Sequence, residues 1–200
     1  MVNPDITLRL PSWVGEVATA GGELYPSVED RMRLVIRLAE QNVLRKTGGP
    51  FAACVFEAAS GRLVAAGVNL VVAAHCSWAH AEIVALALAQ QKLGTHDLGE
   101  AGLPAHELVT STEPCAMCLG AVPWSGVRRL VCGARGEDAC AIGFDEGSKP
   151  ADWVRTLESR GIQVQCEVLR TEAVAVLQRY AQAGGILYNG SNHNAMPSWL

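Results

Sequence analysis

The chain has 200 residues, half of them hydrophobic and 18% charged, which suits one globular domain with its own core and excludes intrinsic disorder. A net charge of −4 and a pI near 5.7 argue against a grip on nucleic acid, which needs a basic patch. The longest apolar run, Ile83 to Ala89, falls far short of the ~20 residues that span a bilayer, and the early residues lack the charged-then-apolar pattern of a signal peptide.

Residues 1–26, with Pro4, Pro11, Gly15, Gly21 and Gly22, read as an irregular N-terminal arm ahead of a single domain over 27–183 and a tail over 184–200. Ser27 with Glu29 and Asp30 marks a helix start, a side-chain cap with acids at the positive end. Met32, Val35, Ile36, Ala39 and Val43 recur at helical spacing until Gly48-Gly49-Pro50 stops the run; Arg31, Arg33, Arg37, Arg45 and Lys46 make this the one dense basic group. Phe51–Ala58 and Leu63–Val72 read as a hairpin joined at Ser60-Gly61. Ala81 to Lys92 is a second helix, apolar nearly all round and therefore buried. Then come a strand at Glu107–Thr110, a short helix from Cys115, a strand at Arg129–Cys132, helices at Glu137–Ile142 and Ala151–Arg160, a fifth strand at Val164–Leu169, and a last helix over Glu172–Ala183 capped by Thr171. Strands alternating with helices behind a hairpin predict an α/β sandwich with a mixed sheet.

Seven cysteines are an odd number for a disulfide framework, and a chain of this size needs none, which predicts a reducing, cytoplasmic setting. Cys54, Cys132 and Cys166 head a group of five that read as buried thiols in apolar surroundings. Cys115 and Cys118 differ. They stand three apart behind Pro114 at a helix start, so both sulfurs share a face and the helix end favours thiolate. A thiolate pair suits zinc, and His80, heading the other buried helix, is the strongest third ligand. Three protein ligands leave one tetrahedral position for water, the mark of a catalytic rather than a structural site. Glu82, next but one to His80, is placed to move that water's proton without binding the metal. Taken singly, His80 reads equally as a satisfied core histidine and Cys-x-x-Cys as a redox pair or two core thiols; together, His-x-Glu followed by Pro-Cys-x-x-Cys is the signature of zinc deaminases.

From Gly48-Gly49-Pro50-Phe51 to about Trp153 the chain resembles the cytidine deaminase superfamily. Gly49-Pro50-Phe51, Thr110-Ser111-Thr112-Glu113-Pro114-Cys115 and Gly143-Phe144-Asp145-Glu146 look most like its bacterial guanine deaminases. The resemblance implies a three-layer α/β/α sandwich with a five-stranded mixed sheet, one Zn2+ per subunit on His80, Cys115 and Cys118, and hydrolysis of guanine to xanthine and ammonia at C2. It implies that Glu82 shuttles protons, that Asn69 reads the oxygen edge of the purine with the N–H of Ala81 as second donor, and that Phe51 stacks on the ring. It places an acid against the amino edge, Glu146 in preference to Asp145. It further implies a homodimer exchanging its C-terminal segment over the partner's site, with Tyr188 or His193 as lid residues; the tail's own residues, Tyr188 and Trp199 among Gly, Asn and Ser, read as a segment that docks. Trp78 departs from the family's small polar residue there, either narrowing the pocket or simply packing. Deamination of cytosine or an aminotriazine such as ammeline, a tRNA adenosine deaminase, and a zinc-stabilised binding module without catalysis are the competing readings; the acidic pI speaks against the tRNA enzyme.

Overall fold

The computed structural model describes residues 7–190 of the chain. In chain order its elements are α1 (Trp13–Thr19), α2 (Val28–Leu44), β1 (Ala52–Glu57), β2 (Leu63–Val68), α3 (Val71–Ala74), α4 (Ala81–Leu93), β3 (His106–Thr112), α5 (Ala116–Ser125), β4 (Arg129–Ala134), α6 (Gly136–Ala141), α7 (Trp153–Glu158), β5 (Gln163–Gln165) and α8 (Arg170–Gln182). The sheet order is β2-β1-β3-β4-β5, with β1 antiparallel to both neighbours and β3, β4 and β5 parallel. This is the expected five-stranded mixed sheet.

Strand alternation separates two cores. Ala52, Cys54 and Phe56 of β1 face Met32, Val35 and Leu38 of α2, whereas Ala53 and Val55 face Ala81, Ala85 and Ala89 of α4. Both faces of the sheet are therefore covered, by α1, α2 and α8 on one side and by α4, α5 and α7 on the other, giving three layers. Ser27 caps α2 as its sequence suggests, accepting from the Asp30 N–H at 3.1 Å. Gly67 sets the height of α4, because a Cβ there would stand 2.5 Å from the Ala81 carbonyl oxygen and 2.6 Å from the Ala85 nitrogen.

Of the basic group on and just after α2, Arg31 is withdrawn from the surface, while Arg33, Arg37, Arg45 and Lys46 are exposed. Arg31 is buried, 2.5 Å from the equally buried Glu107, which also pairs with Arg129 at 3.2 Å, and Arg31 donates to the Tyr25 and Ala58 carbonyls. Removing one partner of such a pair costs about 3–5 kcal/mol. Arg45 lies over the Trp13 ring, 5.4 Å from its centroid.

Several expectations need correcting. The N-terminal arm is not wholly irregular: α1 buries Trp13, Val14 and Ala18 in the main core, because Trp13 supplies apolar area that outweighs the nearby glycines. The strand expected to run to Val72 ends at Val68, and Val71–Ala74 turns into helix. The fifth strand stops at Gln165, since Glu167 and Leu169 adopt φ of 64° and 51°, and α8 consequently starts at Arg170 behind Leu169 rather than behind a Thr171 cap. Of the five thiols expected inside, Cys54 and Cys132 are buried, Cys76 and Cys166 half-buried, and Cys140 exposed, because α6 turns Gly136 and Ala139 inward instead. His193 and Trp199 lie outside the described residues.

Candidate active site

The two buried helices bring their starts together at one edge of the sheet. His80 is the N-cap of α4 and Cys115 the N-cap of α5, both in extended backbone, and Cys118 follows one turn into α5. The His80 Nδ1 stands 3.5 Å from the Cys115 Sγ, and the ligand atoms of His80, Cys115 and Cys118 all lie within 4.8 Å of one another. Tetrahedral zinc bonds of about 2.3 Å to sulfur and 2.0 Å to nitrogen place such a pair about 3.5 Å apart, so the residues fit the ion. Their protonation agrees: a hydrogen bond from Cys118, together with His80, outweighs burial and brings the Cys115 thiol down to about 4. Without an ion the proton stays on Cys118, whose affinity for it is raised by the bond to Cys115, by burial and by the Glu82 charge. A bound cation removes that proton too.

Above this cluster opens a cavity of about 350 Å³, within the range of small-molecule sites. Phe51, Asn69, His80, Glu82, Cys115, Asp145 and Glu146 line it, while Cys118 and Ala81 lie fully buried behind it. Ala81 is the first residue of α4, where the N–H has no intrahelical acceptor. Glu82, in the first turn of α4 and 6% exposed, is pushed up to about 7 by burial and then by Cys115, with His80 opposing. Glu146 is pushed up to about 8, chiefly by burial, against the pull of Lys149.

Three polar atoms on the cavity wall are buried with no hydrogen-bond partner among the described residues: Asn69 Nδ2, Glu146 Oε2 and Tyr188 Oη. The orientation of Asn69 is set, since its Oδ1 accepts from the Val71 N–H at 3.3 Å and the donor end is left for the cavity. Phe51 packs edge-on against Phe144 at 5.0 Å, and Phe144 in turn meets Tyr188 at 5.0 Å. Of the two acids after Phe144, Glu146 is the shielded one; Asp145 is exposed and accepts from the Gly147 N–H through its Oδ1.

Sequence reasoning missed part of the wall. Glu113 accepts from the Gly136 N–H at 3.0 Å, and Lys149 stands 3.8 Å from both Glu113 and Glu146 while donating to the Pro114 carbonyl. The Glu113-Pro114-Cys115 junction was visible, but nothing in the chain order points to Lys149. Tyr188 reaches the cavity from its own chain: Asn189 accepts from the Asp145 N–H and donates to the Gly143 carbonyl. Trp78 is 39% exposed and is not part of the cavity wall.

A three-ligand metal centre at two helix starts, with a buried acid beside it and a pocket opening above, defines a metal-dependent hydrolase of the deaminase type. Residues 26–134 match the cytidine and deoxycytidylate deaminase zinc-binding region, and the chain belongs to that family. It is 34% identical over 130 residues to guanine deaminase of Bacillus subtilis, spanning 62% of this chain and 79% of that one. Among solved structures it superposes on guanine deaminase from Nitrosomonas europaea with a TM-score of 0.86 and 51% identity, covering 91% of this chain and 99% of that one. The structure of NE0047 in complex with 2,6-diaminopurine gives 0.85 and 53%, over 92% and 96%.

Proposed function

We propose that this chain hydrolyses guanine to xanthine and ammonia at C2. The observation that carries the reading is a set of buried polar atoms that make no hydrogen bond among the described residues and share one cavity above the metal cluster: Asn69 Nδ2, Glu146 Oε2, which stands 3.8 Å from the Lys149 amine, and Tyr188 Oη. A flat heterocycle with a carbonyl on one edge and an amino group on another satisfies them together. Asn69 Nδ2 and the Ala81 N–H donate to O6, Phe51 covers the ring face, and Glu146 accepts from the ring N–H and the exocyclic amine. The comparisons support guanine over other rings, since the chain resembles guanine deaminases along most of its length.

His80, Cys115 and Cys118 would hold one zinc ion per subunit, which supplies the Lewis acidity that makes water a nucleophile near neutral pH. Glu82 accepts the proton that water loses as its oxygen bonds to C2 and passes it to a ring nitrogen. Glu82 then carries the proton of the new C2 hydroxyl to the C2 amine, the C–N bond breaks, and ammonia leaves as the C2 carbonyl forms. Burial raises the proton affinity of Glu82 above the ordinary carboxylate range, toward the neutrality that a group taking and giving a proton needs. Glu146 steadies the departing amine.

The same reading includes a homodimer. Met117 and Trp124 stand seven apart on one face of α5, and Trp124 is 86% exposed, a large apolar surface for a chain standing alone. It also includes a cytoplasmic setting, which the seven free cysteines support.

The test is incubation of zinc-loaded protein with guanine, cytosine, ammeline and tRNA, following ammonia and the xanthine spectrum. Guanine should be preferred by at least about a hundredfold in kcat/KM, as expected where buried polar groups go unpaired with a mismatched ring. Silence toward guanine with turnover of another ring, or tight salt-dependent binding of tRNA, overturns the reading.

A further inference from the structure

We infer that Asn42, outside the cavity and on the far end of α2, is the positioning residue that holds the base-recognition wall together; the inference rests on the guanine reading above. Asn42 is wholly buried. Its Nδ2 donates to two backbone carbonyls at once, that of Gly49 at 2.8 Å and that of Asn69 at 2.9 Å. These belong to separate segments, one leading into Phe51 and the other carrying the amide that faces the cavity. The segments also meet directly, the Asn69 N–H donating to the Phe51 carbonyl at 3.0 Å. One side-chain amide thus fixes the spacing between the residue that stacks on the ring and the residue that reads its edge.

The amide is itself oriented. Thr47 Oγ1 donates to Asn42 Oδ1 at 2.7 Å, which consumes the acceptor end and commits both N–H groups to the carbonyls. Space is as tight as the hydrogen bonding: a Cβ on Gly48 would fall 1.9 Å from the Asn69 carbonyl oxygen and 2.6 Å from Asn42 Nδ2. Buried Asn42 and the half-buried Thr47 and Gly48 therefore form a keystone behind the wall, and none of the three lines the cavity above the metal cluster.

Asn69 and Phe51 grip parts of the base away from C2, so their misplacement weakens the bound substrate and the transition state alike. Such a loss raises KM and leaves kcat nearly unchanged. Asn42→Asp keeps the volume but removes both donors and sets an acceptor against two carbonyls. Thr47→Val removes the group that orients the amide and leaves the amide in place.

The experiment measures kcat and KM for guanine, zinc content and Tm for the zinc-loaded wild type and both variants. Asn42→Asp should raise KM about tenfold or more with kcat within about threefold and full zinc, and Thr47→Val should raise KM by about two- to fivefold with Tm close to wild type. A KM within twofold of wild type in Asn42→Asp while Tm alone falls makes Asn42 a structural amide and overturns the inference, as does a fall in kcat at unchanged KM. Should Asn42→Asp not fold, an unchanged KM in Thr47→Val overturns it equally. Wild-type turnover of guanine tests the functional reading by itself, and the ratio of variant to wild type tests Asn42, so the two fail separately.

Discussion

At the floor of the cavity the functional atoms come from two helix starts only three or four residues deep: His80 and Glu82 on α4, Cys115 and Cys118 on α5. At its walls they come from segments far apart in the chain, with Phe51 and Asn69 beside β1 and β2, Glu146 in the loop after α6, and Tyr188 in the tail. A helix fixes the direction of each side chain through its own hydrogen bonds, so the floor holds its geometry with little outside help. Loops have no such guarantee, and the walls depend on links between segments, the buried one from Asn42 to Asn69 and the exposed one from Asn189 to Gly143. Chemistry that tolerates no displacement sits on the helices, while recognition, which must admit and release a base, sits on the loops.

Damage to the floor should be nearly total and damage to the walls graded. Cys118→Ala removes a buried ligand and should abolish both stoichiometric zinc and activity and lower Tm, read by metal analysis and thermal melting. Glu82→Ala should keep its zinc and lose about a thousandfold or more in kcat. Unchanged turnover there would overturn the part given to Glu82, whereas a zinc-loaded wild type without turnover would favour a zinc-stabilised module without catalysis. Asn69→Ala should keep zinc and Tm near wild type and cost about ten- to a hundredfold in kcat/KM for guanine, since one buried polar edge of the base loses its partner. An equal loss for guanine and for a ring lacking the carbonyl would contradict edge reading by Asn69. At the small end, Trp124→Glu on α5 should shift the chain toward monomer in sedimentation while sparing the zinc content.

The same contrast governs what could be read from the chain alone. Where a helix converts spacing into proximity, as in His80-x-Glu82 and Cys115-x-x-Cys118, the arrangement was legible residue by residue. So were the sheet and its two layers of helices, because strands and helices alternate along the chain, α2 carries apolar residues at helical spacing and α4 is apolar nearly all round. Asn69 and Glu146 were reachable through family resemblance, whereas Glu113, Lys149 and Asn42 were not. Their parts depend on contacts between elements, Asn42 to Asn69 across 27 residues and Lys149 to Pro114 across 35, that no local pattern records. The Val164–Leu169 stretch misled for a related reason. Its alternation reads as strand throughout, yet the left-handed turns at Glu167 and Leu169 redirect the chain into α8.

Proton linkage offers a finer probe of the wall. Burial lifts the Glu146 carboxyl from its ordinary 4.5 to about 8, so the folded protein holds a proton there that the unfolded chain releases. The stability this contributes is fully present below about 4.5 and is lost as pH rises through about 8, on the order of a few kcal/mol in total. Lys149 opposes the shift, and Cys115 and Glu82 reinforce it, so the effect belongs to the zinc-free protein; a bound ion, adding positive charge nearby, should shrink it. Glu146→Gln stays neutral at every pH. Melting the chelator-treated wild type and Glu146→Gln at pH 5 and at pH 8.5 should therefore show a steeper loss of Tm with pH in the wild type. Parallel slopes would mean that Glu146 is solvated in the free protein, and that this wall is open to water rather than closed around the base.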